Sequence, residues 1–239
     1  MIKKIENANA FDKYTKTDLY SVRIKALLSA YGICYDFAVF YKQLNNCGEI
    51  TAIISKLDGD FTISMNNADE GELAEFINVI GYRSCLCDGL SDYFADYDEG
   101  IIMMSDRKTQ YNLPYTEIDE YPKLMDLFNF QDYDRADFEA WYVDISHRIR
   151  HGTAKAYSVN INNEIVSSGI FSSIHNNNAV LTSVNTAPEF RRMGYGSLLV
   201  SHMMCDISGK VFLMREKNKN EHFYSRLSFI NTGKWRLYK

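Results

Sequence analysis

Proline is scarce in this chain, 3 residues in 239, and glycine numbers only 13. Those counts exclude a linker-rich or disordered protein. No apolar run approaches the roughly 18 residues that a membrane helix needs. The opening Met1-Ile2-Lys3-Lys4-Ile5-Glu6-Asn7 has a basic start but lacks the apolar stretch of a secretory leader. Cysteine is odd in number, 5, and scattered over positions 34, 47, 85, 87 and 205, which argues against a disulfide framework. No His, Cys or Asp spacing marks a metal site. An excess of positive charge is also missing: 26 Lys and Arg against 31 Asp and Glu give a net charge of −5. That balance disfavours nonspecific nucleic-acid binding and suits a cationic, amine-bearing substrate. Together the absences predict a cytoplasmic globular protein with neither membrane nor nucleic acid as partner, as a monomer or a homodimer.

What is present is core material: 46% hydrophobic residues, with 17 Tyr and 14 Phe. In the second half, residues 134–150 have a helical pattern with Asp134 as N-cap and Gly152 just past the end. Its last turn carries His147, Arg148, Arg150 and His151, which suit the negative end of the helix dipole. Strand-like runs follow at 156–161, 165–173 and 179–184, separated by asparagine-rich turns. Apolar residues at 195, 198, 199, 200, 203 and 204 predict a helix over 194–206. A strand at 211–214, a helix at 220–227 and strands around Gly233 complete the order α-β-β-β-α-β-α-β. The first hundred residues predict the same order: helix 17–30, strands 36–41, 49–55 and 61–64, helix 70–80, strand 82–87, short helix 91–97, strand 100–105. Asp58-Gly59 supplies a hairpin turn, and Cys85 and Cys87 have the spacing of neighbours on one strand face. The expected architecture is α/β (α+β), a mixed sheet flanked by helices, in two similar lobes, 1–105 and 106–239. Residues 106–133 join them, with a helix at 117–128 that helps cover the substrate cleft.

The chemistry concentrates in Val184-Asn185-Thr186-Ala187-Pro188-Glu189-Phe190-Arg191-Arg192-Met193-Gly194-Tyr195-Gly196-Ser197, which leads from a strand into a helix. The first amides of a helix have no intrahelical acceptor, and the dipole adds partial positive charge there. A pyrophosphate fits such an end. Gly194 and Gly196 let it approach the backbone, and Arg191 and Arg192 add cationic donors. Gly-x-x-x-x-Gly-Lys-Ser/Thr is absent, and Leu199 stands where a dinucleotide fingerprint needs its third glycine.

Strand, Thr186-x-Pro-x-Phe, Arg-x-x-Gly-x-Gly, then an amphipathic helix: this order resembles the acetyl-CoA-binding motif of the GNAT N-acetyltransferases. Downstream, Asn218-Lys219-Asn220-Glu221-His222-Phe223-Tyr224-Ser225-Arg226-Leu227-Ser228-Phe229 resembles that family's second signature. The resemblance covers about residues 134–239 and implies the GNAT fold with acetyl-CoA as co-substrate. The acetyl group passes directly to a primary amine of a small molecule or peptide. It implies that backbone groups at Val184, Asn185 and Thr186 hold the pantetheine arm and polarise the thioester carbonyl. The amides from Arg192 through Met193, Gly194, Tyr195 and Gly196 to Ser197 cradle the pyrophosphate, beside Arg191 and Asn218. Tyr224 becomes the acid at the departing sulfur. Ser228 replaces the family's usual glycine, and Asn218 is one position off the commonest spacing. No general base stands out: Glu139, Asp144, His147 and His175 are all open, while His202 and His222 read as solvated helix residues. The corresponding stretch of the first lobe, Asn66-Asn67-Ala68-Asp69-Glu70-Gly71, lacks the arginine and the second glycine and carries carboxylates that repel pyrophosphate. An alternative reading is an acyl-CoA-binding sensor without catalysis.

Overall fold

The computed structural model describes every residue except Gln110 and Tyr115. In chain order the elements are β1 (Ile2–Lys4), α1 (Leu19–Tyr31), β2 (Ala38–Leu44), β3 (Ile50–Leu57), β4 (Asp60–Met65), α2 (Glu70–Ile80), β5 (Ser84–Cys87) and β6 (Tyr97–Ser105). There follow β7 (Glu117–Asp119), α3 (Leu124–Gln131), α4 (Phe138–Arg150), β8 (Lys155–Ile161), β9 (Glu164–His175), β10 (Asn178–Thr186), α5 (Tyr195–Cys205), β11 (Val211–Glu216), α6 (Glu221–Arg226) and β12 (Ile230–Tyr238). No helix among the described residues is long and apolar enough to cross a membrane.

The chain divides into two compact units. The first contains residues 1–102 with 214–217 and 232–239; the second contains 103–213 with 218–231. In the first unit β1 to β4 pair antiparallel in chain order, β5 joins β4 in parallel, and β12 lies antiparallel on β5. Helix α2 makes the crossover between the parallel pair. Its apolar face buries Leu73, Ala74 and Ile77 with Phe61, Ile63, Cys85, Cys87 and Tyr238, so both cysteines enter one core. In the second unit β7, β8, β9 and β10 pair antiparallel, and β11 joins β10 in parallel after the crossover through α5. Helices α3 and α4 cover β8 and β9 through Leu127, Ile145, Ala156 and Ile170. Each unit is thus an antiparallel meander that ends in one parallel crossover, as the repeated element order predicts.

The structure departs from the sequence reading in four places. Residues 117–128 are not one helix: 117–119 form the edge strand β7, and α3 starts only at Leu124. Pro122 explains the break, because the residue before a proline is driven out of the helical region. Residues 91–93 form a turn on Leu90, whose φ is +71°, and Tyr97 already opens β6, in place of a short helix. So short a segment does not sustain a helix alone, and Phe94 and Tyr97 pack on Tyr238 instead. The last segment is one unbroken strand through Gly233, and it pairs with β5 of the first unit. Strand β1, which the sequence reading does not contain, adds an edge to β2.

Candidate active site

The turn between β10 and α5 has an open backbone. Arg192 and Gly194 take positive φ angles, +67° and +96°, which curls the chain so that successive N–H groups point to one side. Among the described residues no protein acceptor meets the amides of residues 192–197; the amides flanking them, of Arg191 and Leu198, bond to the carbonyls of Pro188 and Gly194. Helix α5 also begins without a side-chain cap. Arg191, Arg192 and Met193 are exposed, and residues 194–197 are half-buried. The two glycines serve different ends. Gly194 supplies the left-handed N-cap conformation that L side chains avoid. At Gly196 a Cβ would lie 3.1 Å from Thr186 Oγ1 and 3.5 Å from Phe223 Cζ, so this glycine lets helix α5 sit close to the strand end and to α6. The Arg191 guanidinium folds back, its Nε donating to the Thr186 carbonyl at 3.0 Å.

The strand that feeds this turn is irregular. β10 pairs with β11 only as far as Leu181 opposite Leu213. Its other ladder, to β9, breaks between Thr182 and Asn185, leaving Ser183 and Val184 without a partner. Ser183 has φ +54°, a strained value for a non-glycine residue inside a strand. The bulge takes the Val184 peptide out of both ladders. The α3–α4 connection holds it from outside. Gln131 Nε2 donates to the Ser183 carbonyl (2.6 Å) and Ser168 Oγ (2.7 Å), and Asn185 Nδ2 donates to the Phe130 carbonyl (3.4 Å). The Tyr133 hydroxyl lies 2.5 Å from Ser183 Oγ. Thr186 Oγ1 is fixed at 2.9 Å from Ser167 Oγ.

Tyr224 stands in α6, which ends in a Schellman motif. The Phe229 amide bonds to the Tyr224 carbonyl and the Ser228 amide to the Ser225 carbonyl, both at 3.1 Å, with Ser228 in the left-handed region at φ +65°. This motif brings a hydrophobic pair into contact at its ends, here Tyr224 and Phe229 with ring centroids 5.7 Å apart. The spacing of Tyr224, Ser228 and Phe229 in the sequence is therefore the covalent record of one helix terminus. Burial pushes the Tyr224 phenol up to about 12, and its hydroxyl meets no protein partner among the described residues. The side chain keeps its proton at every physiological pH.

The remaining candidates separate by position. Arg148 donates to the Ser172 carbonyl at 2.7 Å and is ion-paired with Asp144. Ser172 lies five residues, roughly 17 Å, along β9 from Ser167, the partner of Thr186. His175 lies further still, at the turn into β10. Asp144, His147 and His175 therefore group toward the end of the sheet away from the open turn, which leaves Glu139, exposed in the first turn of α4. Asn218 is exposed in the turn between β11 and α6, and His222 is exposed on α6. His202 is not solvated as a free side chain: its Nε2 lies 2.9 Å from Glu120. Glu120 in turn binds Lys155, which also pairs with Asp206, tying α5 to β8. Among the described residues no group of His, Cys, Asp and Glu is arranged to hold a metal. A cleft of about 600 Å³ opens between residues 103–107 and the far end of α6, lined there by Ser225 and Phe229. None of the site residues read from the sequence lines it.

Residues 115–229 match the acetyltransferase (GNAT) family. No curated protein matches the chain in sequence. Solved structures share its fold over nearly the whole length. An X-ray structure of a Drosophila protein covers 100% of this chain and 98% of its own, with TM-score 0.66 at 13% identity. A GCN5-related N-acetyltransferase from Kribbella flavida covers 92% and 93%, with TM-score 0.59 at 11% identity. A tandem GNAT protein from the clavulanic acid biosynthesis pathway covers 100% and 98%, with TM-score 0.58 at 8% identity.

Proposed function

We propose, from the match of residues 115–229 to the acetyltransferase (GNAT) family, that the chain transfers an acetyl group from acetyl-CoA to a primary amine of a small molecule or peptide. The observation that carries this reading is the row of backbone amides at 192–197 that no protein acceptor meets among the described residues. A diphosphate supplies the acceptors those amides lack, and the dipole of α5 favours its charge. Arg192, exposed beside the turn, adds a cationic donor; Arg191 shapes the turn through Thr186.

Acetyl-CoA supplies the activated acyl group as a thioester. The chain supplies binding and polarisation. Backbone groups of Asn185 and Thr186 hold the pantetheine arm, and Asn218, exposed in the turn before α6, adds a polar contact to the cofactor. The Val184 N–H, freed from the ladders by the bulge, donates toward the thioester carbonyl, where negative charge grows during attack. Tyr224 donates a hydrogen bond at the departing sulfur. Its raised pKa makes it a retained donor at all working pH values. The proton of the amine leaves through Glu139 or a water relay.

The first unit has the same meander and crossover but carries neither glycine pair nor open helix start. We assign it as a degenerate second copy of the architecture, without CoA binding. The test of function is calorimetric titration with acetyl-CoA, followed by mass-spectrometric detection of acetylated products from an amine panel. Binding with product formation supports the proposal. Tight binding without turnover on any amine supports the sensor instead, and absence of binding removes both.

A further inference from the structure

Gln131 belongs to no motif of the sequence, yet its side chain completes the irregular strand. The two units show what it adds. In each, a tyrosine five residues before a long helix reaches a serine two residues past the last parallel strand pair. Tyr14 precedes Leu19, and its hydroxyl lies 2.9 Å from Ser64 Oγ, beyond the pair Thr62–Leu86. Tyr133 precedes Phe138, and its hydroxyl lies 2.5 Å from Ser183 Oγ, beyond the pair Leu181–Leu213. The tyrosine–serine contact is therefore common scaffold.

The strands differ. In the first unit β3 and β4 stay in unbroken register from Ala52–Met65 to Leu57–Asp60, with Ser64 opposite Ile53. In the second unit the ladder breaks at Ser183 and Val184. Asp12 stands where the second unit has Gln131, two residues before the tyrosine, and a carboxylate has no proton to donate. The Gln131 amide gives both its protons, to the Ser183 carbonyl and to Ser168 Oγ on the neighbouring strand. It bridges the two strands where the ladder is missing. The acceptor of one bond is a carbonyl, so the amide orientation is fixed by chemistry.

We propose that Gln131 is a positioning residue for acyl transfer: it holds the Ser183 carbonyl so that the adjoining Val184 N–H stays aimed at the thioester. This rests on the acetyltransferase reading above. The role acts through Val184; Gln131 itself need touch neither substrate. Because a misplacement of about 1 Å can cost 10²-fold in rate, loss of the bridge should lower kcat and leave cofactor binding nearly intact.

The experiment compares wild type, Gln131→Met and Gln131→Glu with Tyr14→Phe, which removes the equivalent tyrosine–serine contact of the first unit, as scaffold control. Each is measured for melting temperature, acetyl-CoA affinity by calorimetry, and CoA release from acetyl-CoA in the presence of spermidine, ethanolamine and free amino acids, with water as the acceptor of last resort. Both Gln131 variants should lose about 10- to 100-fold in kcat, with acetyl-CoA Kd changed less than about 3-fold. Tyr14→Phe should lower the melting temperature and retain most of kcat. Either of two results overturns the assignment: folded Gln131 variants with wild-type kcat, or losses in kcat, affinity and melting temperature that run in parallel. Glutamate matches glutamine in shape, so one variant remains informative if methionine does not fold. A wild type that binds no acetyl-CoA removes the enzyme reading itself and this role with it. A wild type that turns over beside unchanged Gln131 variants removes only this role.

Discussion

Helices α2 and α5 occupy the same place in their units, each crossing between parallel strands, and their N-termini are treated in opposite ways. The start of α2 is closed by the chain itself. Asp69 accepts from the Glu72 amide at 3.0 Å, and Glu72 accepts from Gln43 Nε2 and from the N-terminal ammonium, both at 2.8 Å. Beside it Lys16 fills the gap past the parallel pair, bonding to the Met65 carbonyl at 2.6 Å and to Asp18 at 3.0 Å. The start of α5 has no such cap, and the loop before it is longer and carries no carboxylate between Phe190 and Ser197. The same architecture thus gives a capped helix start in one unit and an uncapped one in the other. The lesson is that anion binding depends on whether the chain leaves its helix amides unclaimed, since both helices have the dipole.

The largest effect expected from breaking this contrast is at Gly194. Gly194→Glu places a carboxylate at the amide row and a side chain at φ +96°, and acetyl-CoA affinity should fall by more than about 100-fold, two charge-assisted contacts' worth. Calorimetry checks it, with circular dichroism to confirm the fold; Gly71→Glu, at the other helix start, should leave affinity unchanged. Tyr224→Phe should lower kcat by about 10- to 100-fold with KM for acetyl-CoA nearly constant, as steady-state kinetics would reveal. Because burial raises the phenol's pKa, a basic limb near neutrality in the wild-type profile should persist in the variant.

Lys16→Met tests the closed unit. It leaves the Met65 carbonyl and the Asp88 carboxylate without their lysine, while Asp18 keeps its bonds from Ser21 and Ser64, and should destabilise by ~1–2 kcal/mol at pH 7, the lower part of the usual range because Asp88 is partly exposed. Burial already raises the Asp88 pKa, and Lys16 opposes that rise. Without the lysine it rises further, and a raised carboxyl is least costly below its unfolded value and most costly above its folded one. The deficit seen in urea titrations should therefore shrink as pH falls toward 4. Acetyl-CoA affinity should not move. The smallest effect is a gain: Ser228→Gly relieves a left-handed serine at φ +65° and should stabilise by about 1 kcal/mol, visible as a higher melting temperature.

The sequence carried the parts of this molecule that depend on neighbours in the chain. Apolar periodicity located α5, cap residues located α4, and the glycines with Arg191 and Arg192 located the open turn. Pro122 was a visible signal against a helix over 117–128 that the sequence reading did not use. The bracing of the bulge was illegible, because Gln131 and Ser183 meet only in the folded chain and neither residue type marks such a bond. The pairing of β12 with β5 joins positions far apart in sequence, and no local pattern announces it.

The claim on which the account rests is that backbone amides of residues 192–197 grip the diphosphate of acetyl-CoA. Amide hydrogen exchange by NMR, with and without acetyl-CoA, addresses it most directly. The account predicts slowed exchange across 192–197 on binding, with the amides at the start of α2 unaffected. Saturating acetyl-CoA that leaves exchange at 192–197 unchanged, or protects the start of α2 instead, would contradict it.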